Sequence, residues 1–372
     1  MQKPLWPAAL VLVAATSAFA APQGVVSIPA GQAAVTQAKS TPDYRHAQTI
    51  LLRSSTAMPA QALDFNAAAA TARVAPTAGE AGNRGGTADA AGMSKQLIAE
   101  GLMGGGLLDD LSGPTPMAVG TQGLQFTSSQ VFPAQADTTY PTRATGKLWF
   151  EKVPGSGSWW VCSASMIKPG IVATAGHCVT SGTGSWYGSF QFVPGYRSGA
   201  APYGTWTSWA TATTTSEWFS GGGGVPNGGD YALIVFNKNG SGYRIGDYTG
   251  WLGWQYPSLV GRHVTVLGYP QNLDGGAINH RIDAQTTSGS NNTGLWGSDM
   301  TGGSSGGAVV LNFSKAYTSS TPLPSDNGDN RLVSVVSYGP IATDPKYQGG
   351  AVFDSRISTM LTNMCTAYAW AC

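Results

Sequence analysis

From about Pro141 onward the chain repeats one pattern, in which short runs of large apolar residues alternate with Gly-rich or polar stretches. The runs are Lys147 to Phe150, Trp159 to Ile167, Ile171 to Ala175, Phe190 to Val193, Tyr231 to Phe236, His263 to Tyr269, Ala308 to Phe313, Leu332 to Tyr338 and Ala351 to Phe353. Runs of this length bounded by turn residues predict strands. The stretches between them, such as Ser181 to Ser185 and Gly221 to Gly229, predict surface turns. Near the end the period changes. Ile357, Leu361 and Met364 recur at helical spacing, so Ser355 to Met364 predicts a helix with Ser355 as its cap. Strands followed by one terminal helix predict an all-β domain built as barrels or a sandwich.

The first third has another texture. From Ala21 to about Tyr140 the chain is rich in Ala, Gly, Thr and Pro, and segments such as Ala67 to Ala70 and Gly79 to Gly92 carry too few large apolar residues to build a core. One patch, Met93 to Leu111, predicts a short helix and a second apolar turn, separated by Gly104, Gly105 and Gly106. The whole stretch reads as a pro-segment, with a flexible stalk or linker as the alternative. Ahead of it, Lys3 precedes an apolar run from Leu5 to Phe19, and Ala18-Phe19-Ala20 offers small residues for cleavage. That is the pattern of a secretory signal peptide rather than of a retained anchor. The expected parts are therefore 1–20 as signal, 21–140 as pro-segment and 141–372 as the folded domain, with no membrane association once the signal is removed.

Composition narrows the class. Charged residues make up 10% of the 372 and the formal net charge is +1, so the basic footprint of a nucleic-acid binder is missing. The 51 glycines and 12 tryptophans suit short strands and tight turns in an exported β protein, extracellular or periplasmic. Export implies an oxidising medium, where four cysteines suit two disulfides. Of the three connectivities, pairing neighbours is the simplest: Cys162 with Cys178, and Cys365 with Cys372. The spacing of cysteines and histidines does not suit zinc. Asp326 to Asn330 lacks the alternating ligands and closing glutamate of a calcium loop and reads as a surface turn.

Two segments carry chemistry: Thr174-Ala175-Gly176-His177-Cys178 and Gly303-Ser304-Ser305-Gly306-Gly307. A serine hydroxyl is a poor nucleophile at neutral pH and needs a base, and the base needs a group that fixes its tautomer. Ser305, His177 and Asp230 fit those roles. Asp247 and Asp283 compete as the orienting carboxylate, but the apolar run after Asp230 favours it. Ser304 competes with Ser305, and the Gly-x-Ser-Gly-Gly frame selects Ser305. The glycines allow a tight turn in which the N–H groups of Gly303 and Ser305 converge on a developing oxyanion. His263 and His280 read as ordinary strand and loop residues.

The region from about Lys147 to the C-terminus resembles the chymotrypsin-like (trypsin-like) serine endopeptidases, within them the bacterial glutamyl-endopeptidase-like branch. The resemblance rests on Cys162 to Ile167, Thr174 to Cys178, Gly229 to Leu233, Gly268-Tyr269-Pro270 and Gly302 to Gly307, in the chain order His, Asp, Ser. It implies two packed six-stranded antiparallel β-barrels with the triad in their cleft, a Cys162–Cys178 disulfide around the histidine, and peptide hydrolysis through an acyl-enzyme at Ser305. It implies no metal or organic cofactor, and protein or peptide substrates; the chain's own pro-segment is expected as a partner, and the protein is expected to be a monomer. A non-catalytic binding or adhesion protein on the same fold is the alternative.

Two departures matter. In chymotrypsin an aspartate just before the nucleophile pairs with a freshly cut N-terminus, and here Ser304 stands there, so activation is expected not to need that ion pair. Asp299 lies where trypsins place the carboxylate at the base of the primary pocket, which implies cleavage after Arg or Lys, with Ser337 and Gly339 lining the substrate strand. Asp344 is a rival carboxylate, and Gly349 or Gly350 are expected to leave the pocket walls open. Val336 replaces the histidine that glutamyl endopeptidases use, which argues against acidic substrates. Aromatic or broad specificity is the alternative to a basic one.

Overall fold

Successive side chains of a strand point to opposite faces, so a run that is apolar at alternate positions buries one face against a second layer. That rule yields two curled, mainly antiparallel sheets here. The structure is a computed structural model and describes residues 24–30, 47–50, 52–54, 78–85, 124–314, 329–340 and 346–372. The expected signal peptide, the Met93 to Leu111 patch, most of the Asp326 to Asn330 turn and Asp344 lie outside the described residues.

Short strands arise before residue 131: β1 (Val25–Pro29), β2 (Gln48–Thr49), β3 (Arg53–Ser54), β4 (Ala78–Glu80) and β5 (Phe126–Gln130). Next come β6 (Thr145–Glu151), β7 (Trp159–Lys168), β8 (Ile171–Thr174), β9 (Gly188–Pro194), β10 (Trp209–Thr215) and β11 (Ala232–Phe236). The first sheet has eight strands in the order β1-β10-β11-β8-β7-β6-β9, with β2 added on β7. The second half supplies β12 (Gly253–Tyr256), β13 (His263–Gly268), β14 (His280–Gln285), β15 (Thr287–Ser288), β16 (Thr293–Gly297), β17 (Ala308–Leu311), β18 (Arg331–Pro340) and β19 (Tyr347–Ala351). The second sheet has eleven strands in the order β15-β16-β19-β18-β17-β13-β14-β5, with β3 and β12 on β18 and β4 on β12.

The architecture is the expected one, all-β in two sheets with a C-terminal helix, but the strand counts exceed six each. The surplus comes largely from the Ala-rich segment, which covers sheet edges. β1 lies antiparallel on the open side of β10, and the hydroxyls of Thr211 and Thr213 donate to Ile28 O and Val26 O at 3.0 and 2.9 Å. An unpaired edge is a ready template for such pairing.

Phe150, Phe190, Phe192, Phe236, Met166 and Ile171 fill the first core, and the second gathers Val264, Val266, Ile282, Trp296, Val309 and Val333. Each such side chain, fully buried, contributes roughly 1.5–3 kcal/mol. The helix Ser355–Ala367 lays Ile357, Leu361 and Met364 on the first core. Its cap is Asp354, not Ser355, because the Asp354 carboxylate accepts from Arg356 N at 2.9 Å. The disulfide Cys365–Cys372 ties the tail back to that helix.

Candidate active site

β8 ends at Thr174, and a single tight turn, Gly176–Cys178, follows. A Cβ on Gly176 would lie 2.6 Å from the Trp218 ring and 2.9 Å from Asp230 Oδ1, so the turn sits this close only because it begins with glycine. The bond between Cys162 and Cys178 fixes the turn to β7. Asp230, fully buried just before β11, accepts from His177 N on Oδ1 at 2.8 Å, and its Oδ2 meets His177 Nδ1 at 2.8 Å and the Ser337 hydroxyl at 2.5 Å. A carboxylate only accepts, so Nδ1 carries the ring proton and Nε2 is left as the basic nitrogen. Trp218 stands edge-on to the imidazole with centroids 6.1 Å apart. Nε2 has no protein partner among the described residues.

The second sheet brings up the serine. Gly303 and Gly306 hold φ of +94° and +76°. A Cβ would stand 2.5 Å from Tyr269 O at Gly303 and 2.1 Å from Thr174 Oγ1 at Gly306. Both positions therefore require glycine, for backbone angle and for space. Among the described residues the N–H groups of Gly303 and Ser305 have no backbone acceptor, which leaves them available to an oxyanion. Ser163 of β7 joins the two sheets at this point: its N donates to Ser305 O at 2.7 Å, its hydroxyl donates to Gly303 O at 2.9 Å, and that hydroxyl accepts from Tyr269 N at 2.9 Å. In the sequence Ser163 is one position in a predicted strand, with no local signal of this role.

The Ser305 hydroxyl donates at 3.3 Å to the carbonyl of Ile50. Residues 47–50 and 52–54 cross the site: β2 runs parallel to β7 at Gln48 and Trp160, Leu52 O accepts from Gly339 N at 3.0 Å, and β3 runs parallel to β18 at Arg53 and Gly339. Leu52 packs against a cluster of Leu124, Leu295, Tyr338 and Tyr347.

The expected specificity residues fall differently. Asp299 turns its carboxylate to β5, where Oδ1 accepts from Ser128 Oγ at 2.9 Å in an exposed setting, while its main-chain carbonyl accepts from Asn272 at 2.9 Å. The hydroxyl of Ser337 is spent on Asp230, so only its backbone faces a substrate. Among the described residues a Cβ at Gly339 would meet only Tyr347 O, at 3.7 Å, so they leave this position open. Gly349 does not leave a wall open, because a Cβ there would lie 2.4 Å from the Tyr338 ring, and at Gly350 it would lie 2.4 Å from Val335 O. Tyr338 is buried with its hydroxyl 3.0 Å from Thr293 Oγ1, and burial pushes its phenol up to about 12. The rival orienting carboxylates are engaged elsewhere, Asp247 with Arg244 and Asp283 with Arg281. His280 meets Asp274 at 2.6 Å, away from the site, and His263 is exposed.

Two curled antiparallel sheets that bring a buried His–Asp pair and a glycine-framed serine to their junction define a two-barrel class of β protein. The trypsin family model matches residues 139–353, and the chain belongs to that family. It is similar to a glutamyl endopeptidase of Bacillus licheniformis, 34% identical over 142 residues, which are 37% of this chain and 40% of that protein. An extracellular metalloprotease of Bacillus subtilis is 29% identical over 144 residues, 36% of this chain and 40% of that one. The matched stretch thus spans well under half of either relative. Among solved structures, the protease Anisep of Arthrobacter nicotinovorans is 27% identical, with a TM-score of 0.49, over 60% of this chain and 96% of that one. A thermostable serine protease, AL20, from an extremophilic microorganism is 25% identical, with a TM-score of 0.47, over 63% and 99%.

Proposed function

We propose that this chain is a secreted serine endopeptidase made as a precursor. The observation that carries the reading is the buried Asp230 carboxylate, which fixes His177 with Nε2 basic beside the glycine-framed Ser305 loop. His177 takes the Ser305 proton as Oγ attacks a peptide carbonyl, the Gly303 and Ser305 amides receive the oxyanion, and His177 returns the proton to the leaving amine. Water then repeats the steps on the acyl-enzyme. A serine-directed phosphonofluoridate is expected to label the enzyme at Ser305 and to leave Ser305→Ala unlabelled. Equal labelling of the two would sink the assignment, and absence of labelling after the 21–140 segment is removed would favour a non-catalytic binding protein.

The precursor reading draws on residues 47–54. A carbonyl that accepts the Ser305 proton keeps that proton from Nε2, and a strand lying on Gly339 takes the place of a substrate. In the full-length chain, Leu52→Asp removes an apolar anchor worth about 1.5 kcal/mol or more, so labelling at Ser305 is expected to quicken about tenfold. An unchanged rate would remove the segment's restraining role.

The basic preference rested on Asp299, and Ser128 now holds that carboxylate at the β5 edge. The apolar cluster that receives Leu52 favours the alternative of aromatic or broad specificity. Kinetics on matched Arg and Leu substrates with Asp299→Ser decide this, and a lost Arg preference would restore the pocket role. A metal-dependent reading, raised by one relative's name, does not fit the described ligand cluster. Cys162, His177 and Cys178 place ligand atoms within 4.8 Å of one another, but both sulfurs are joined to each other and Nδ1 is held by Asp230.

A further inference from the structure

Behind the nucleophile lies a buried chain of neutral hydrogen bonds that the triad does not use. Gln348, on β19 opposite Trp296 of β16, is 3% exposed. Its Nε2 donates to Ser304 Oγ at 2.8 Å, and its Oε1 accepts from Ser298 Oγ at 2.9 Å. Ser304 Oγ donates in turn to Thr301 O at 2.6 Å, and Ser298 Oγ accepts from Met300 N at 3.2 Å. Proton counting fixes the direction of this chain. Each hydroxyl has one proton, and Ser304 has spent its own on Thr301, so it can only accept from the NH2 side of the amide. The Ser298 proton must then go to the amide oxygen, and no flipped arrangement satisfies all the groups.

We propose that Gln348 is a positioning residue for the reaction, an uncharged latch that holds the nucleophile loop through Ser304. The inference rests on the reading of Ser305 as nucleophile. Ser304 lies between the two amides assigned to the oxyanion, and the glycines on either side of this pair, Gly303 and Gly306, supply turns but no side-chain anchors. Ser304 and Ser298 each close a short loop onto the backbone of residues 300–301, and Gln348 ties both to the β19 strand. The loop is thus ordered by groups whose charge does not change on maturation. That accounts for a serine at the position where chymotrypsin needs an aspartate and a free N-terminus.

A glutamate in place of Gln348 tests the bonding pattern rather than the volume. When protonated it donates through O–H to Ser304 and accepts from Ser298, as the amide does. When ionised it only accepts, so the Ser304 proton is drawn away from Thr301. Burial raises a carboxyl above its ordinary value of about 4.3. Gln348→Glu is therefore expected to show kcat close to wild type on the acid side and a fall as pH rises through its own pKa, a limb that wild type lacks. Gln348→Met, similar in size but without hydrogen bonds, is expected to lose about tenfold or more in kcat at every pH with KM little changed. Ser304→Ala approaches the latch from its other end, and adding it to Gln348→Met is expected to cost little more.

Measured on the mature enzyme with a small ester substrate, a Gln348→Glu profile parallel to wild type at every pH, or wild-type kcat in Gln348→Met, overturns the proposal and leaves Gln348 as core filling. Phosphonofluoridate labelling separates the two levels. If wild type labels at Ser305 and the Gln348 variants behave as wild type, only the latch fails. If wild type does not label at Ser305, the parent reading fails first. Acetylation of the mature N-terminus is expected to leave wild-type kcat unchanged, and loss of turnover in a folded acetylated enzyme also overturns the latch.

Discussion

His177 stands on a turn cross-linked by Cys162–Cys178, flanked by Trp218 and bonded twice to a buried carboxylate, whereas Ser305 stands on a loop with no disulfide, shaped by two positive-φ glycines and neutral hydrogen bonds. The proposed base is held by charge and covalent bonds, the proposed nucleophile by sterics and dipoles. Each half is therefore vulnerable in its own way. An imidazole needs one carboxylate in one protonation state. A loop that offers two amides to an oxyanion needs its backbone within a few tenths of an ångström, and any added atom shifts it.

On the first sheet the most damaging change is chemical. Asp230→Asn keeps the shape of the side chain, but an amide has one acceptor oxygen where the carboxylate takes His177 N, His177 Nδ1 and Ser337 Oγ. Its NH2 would face a ring nitrogen that must then accept, which turns the tautomer the wrong way. A fall in kcat on the order of 10⁴ is expected, with the fold intact by circular dichroism. A loss below about tenfold would mean that orientation is supplied elsewhere.

On the second sheet the corresponding break is steric. Gly303→Ala puts a Cβ 2.5 Å from Tyr269 O at a φ of +94°, so the backbone must move and carry its amide with it. Losing one oxyanion donor costs about 10²–10³ in kcat. The loss is expected in kcat rather than KM, and a variant with normal kcat would show that Gly303 N is not a donor to the transition state.

What the sequence revealed follows the same division. His177, Asp230 and Ser305 could be proposed from sequence because turn glycines and a cysteine surround them locally. Ser163 and Gln348 were not, since each acts across sheets: Ser163 is one polar position inside an apolar strand, and Gln348 meets Ser304 only through the register that sets it opposite Trp296. Strands went unseen for related reasons. β10 (WATATTT) is buried at all but one position yet is made mostly of Thr and Ala, and β14 (HRIDAQ) alternates buried residues with less buried polar ones, so neither forms an apolar run. The run expected at Ala351 to Phe353 is instead a strand ending at Ala351, because Gly349 and Gly350, poor strand formers in isolation, are the residues that fit beneath Tyr338 and Val335. The resemblance to trypsins places Asp299 at the base of a pocket, but Ser128, far upstream on β5, decides where its carboxylate points.

Loss of the covalent links is expected to affect turnover least, because they act on stability more than on chemistry. The loops closed by Cys162–Cys178 and Cys365–Cys372 span sequence separations of 16 and 7. Chain entropy alone gives about 3 kcal/mol for the first and about 2.4 kcal/mol for the second. Replacing either pair by serines is thus expected to lower the urea midpoint by similar amounts. Their effects on kcat should differ in kind. The tail link joins the C-terminal residue to the helix and borders neither the His177 turn nor the Ser305 loop in sequence, and its loss is expected to leave kcat within about twofold. The first link borders His177, but Asp230 and the Trp218 edge also fix that side chain, so its loss is expected to cost no more than about fivefold in kcat below the melting range. If removing Cys162–Cys178 instead costs as much turnover as Gly303→Ala, the base is no better secured than the nucleophile, and charge alone does not hold it.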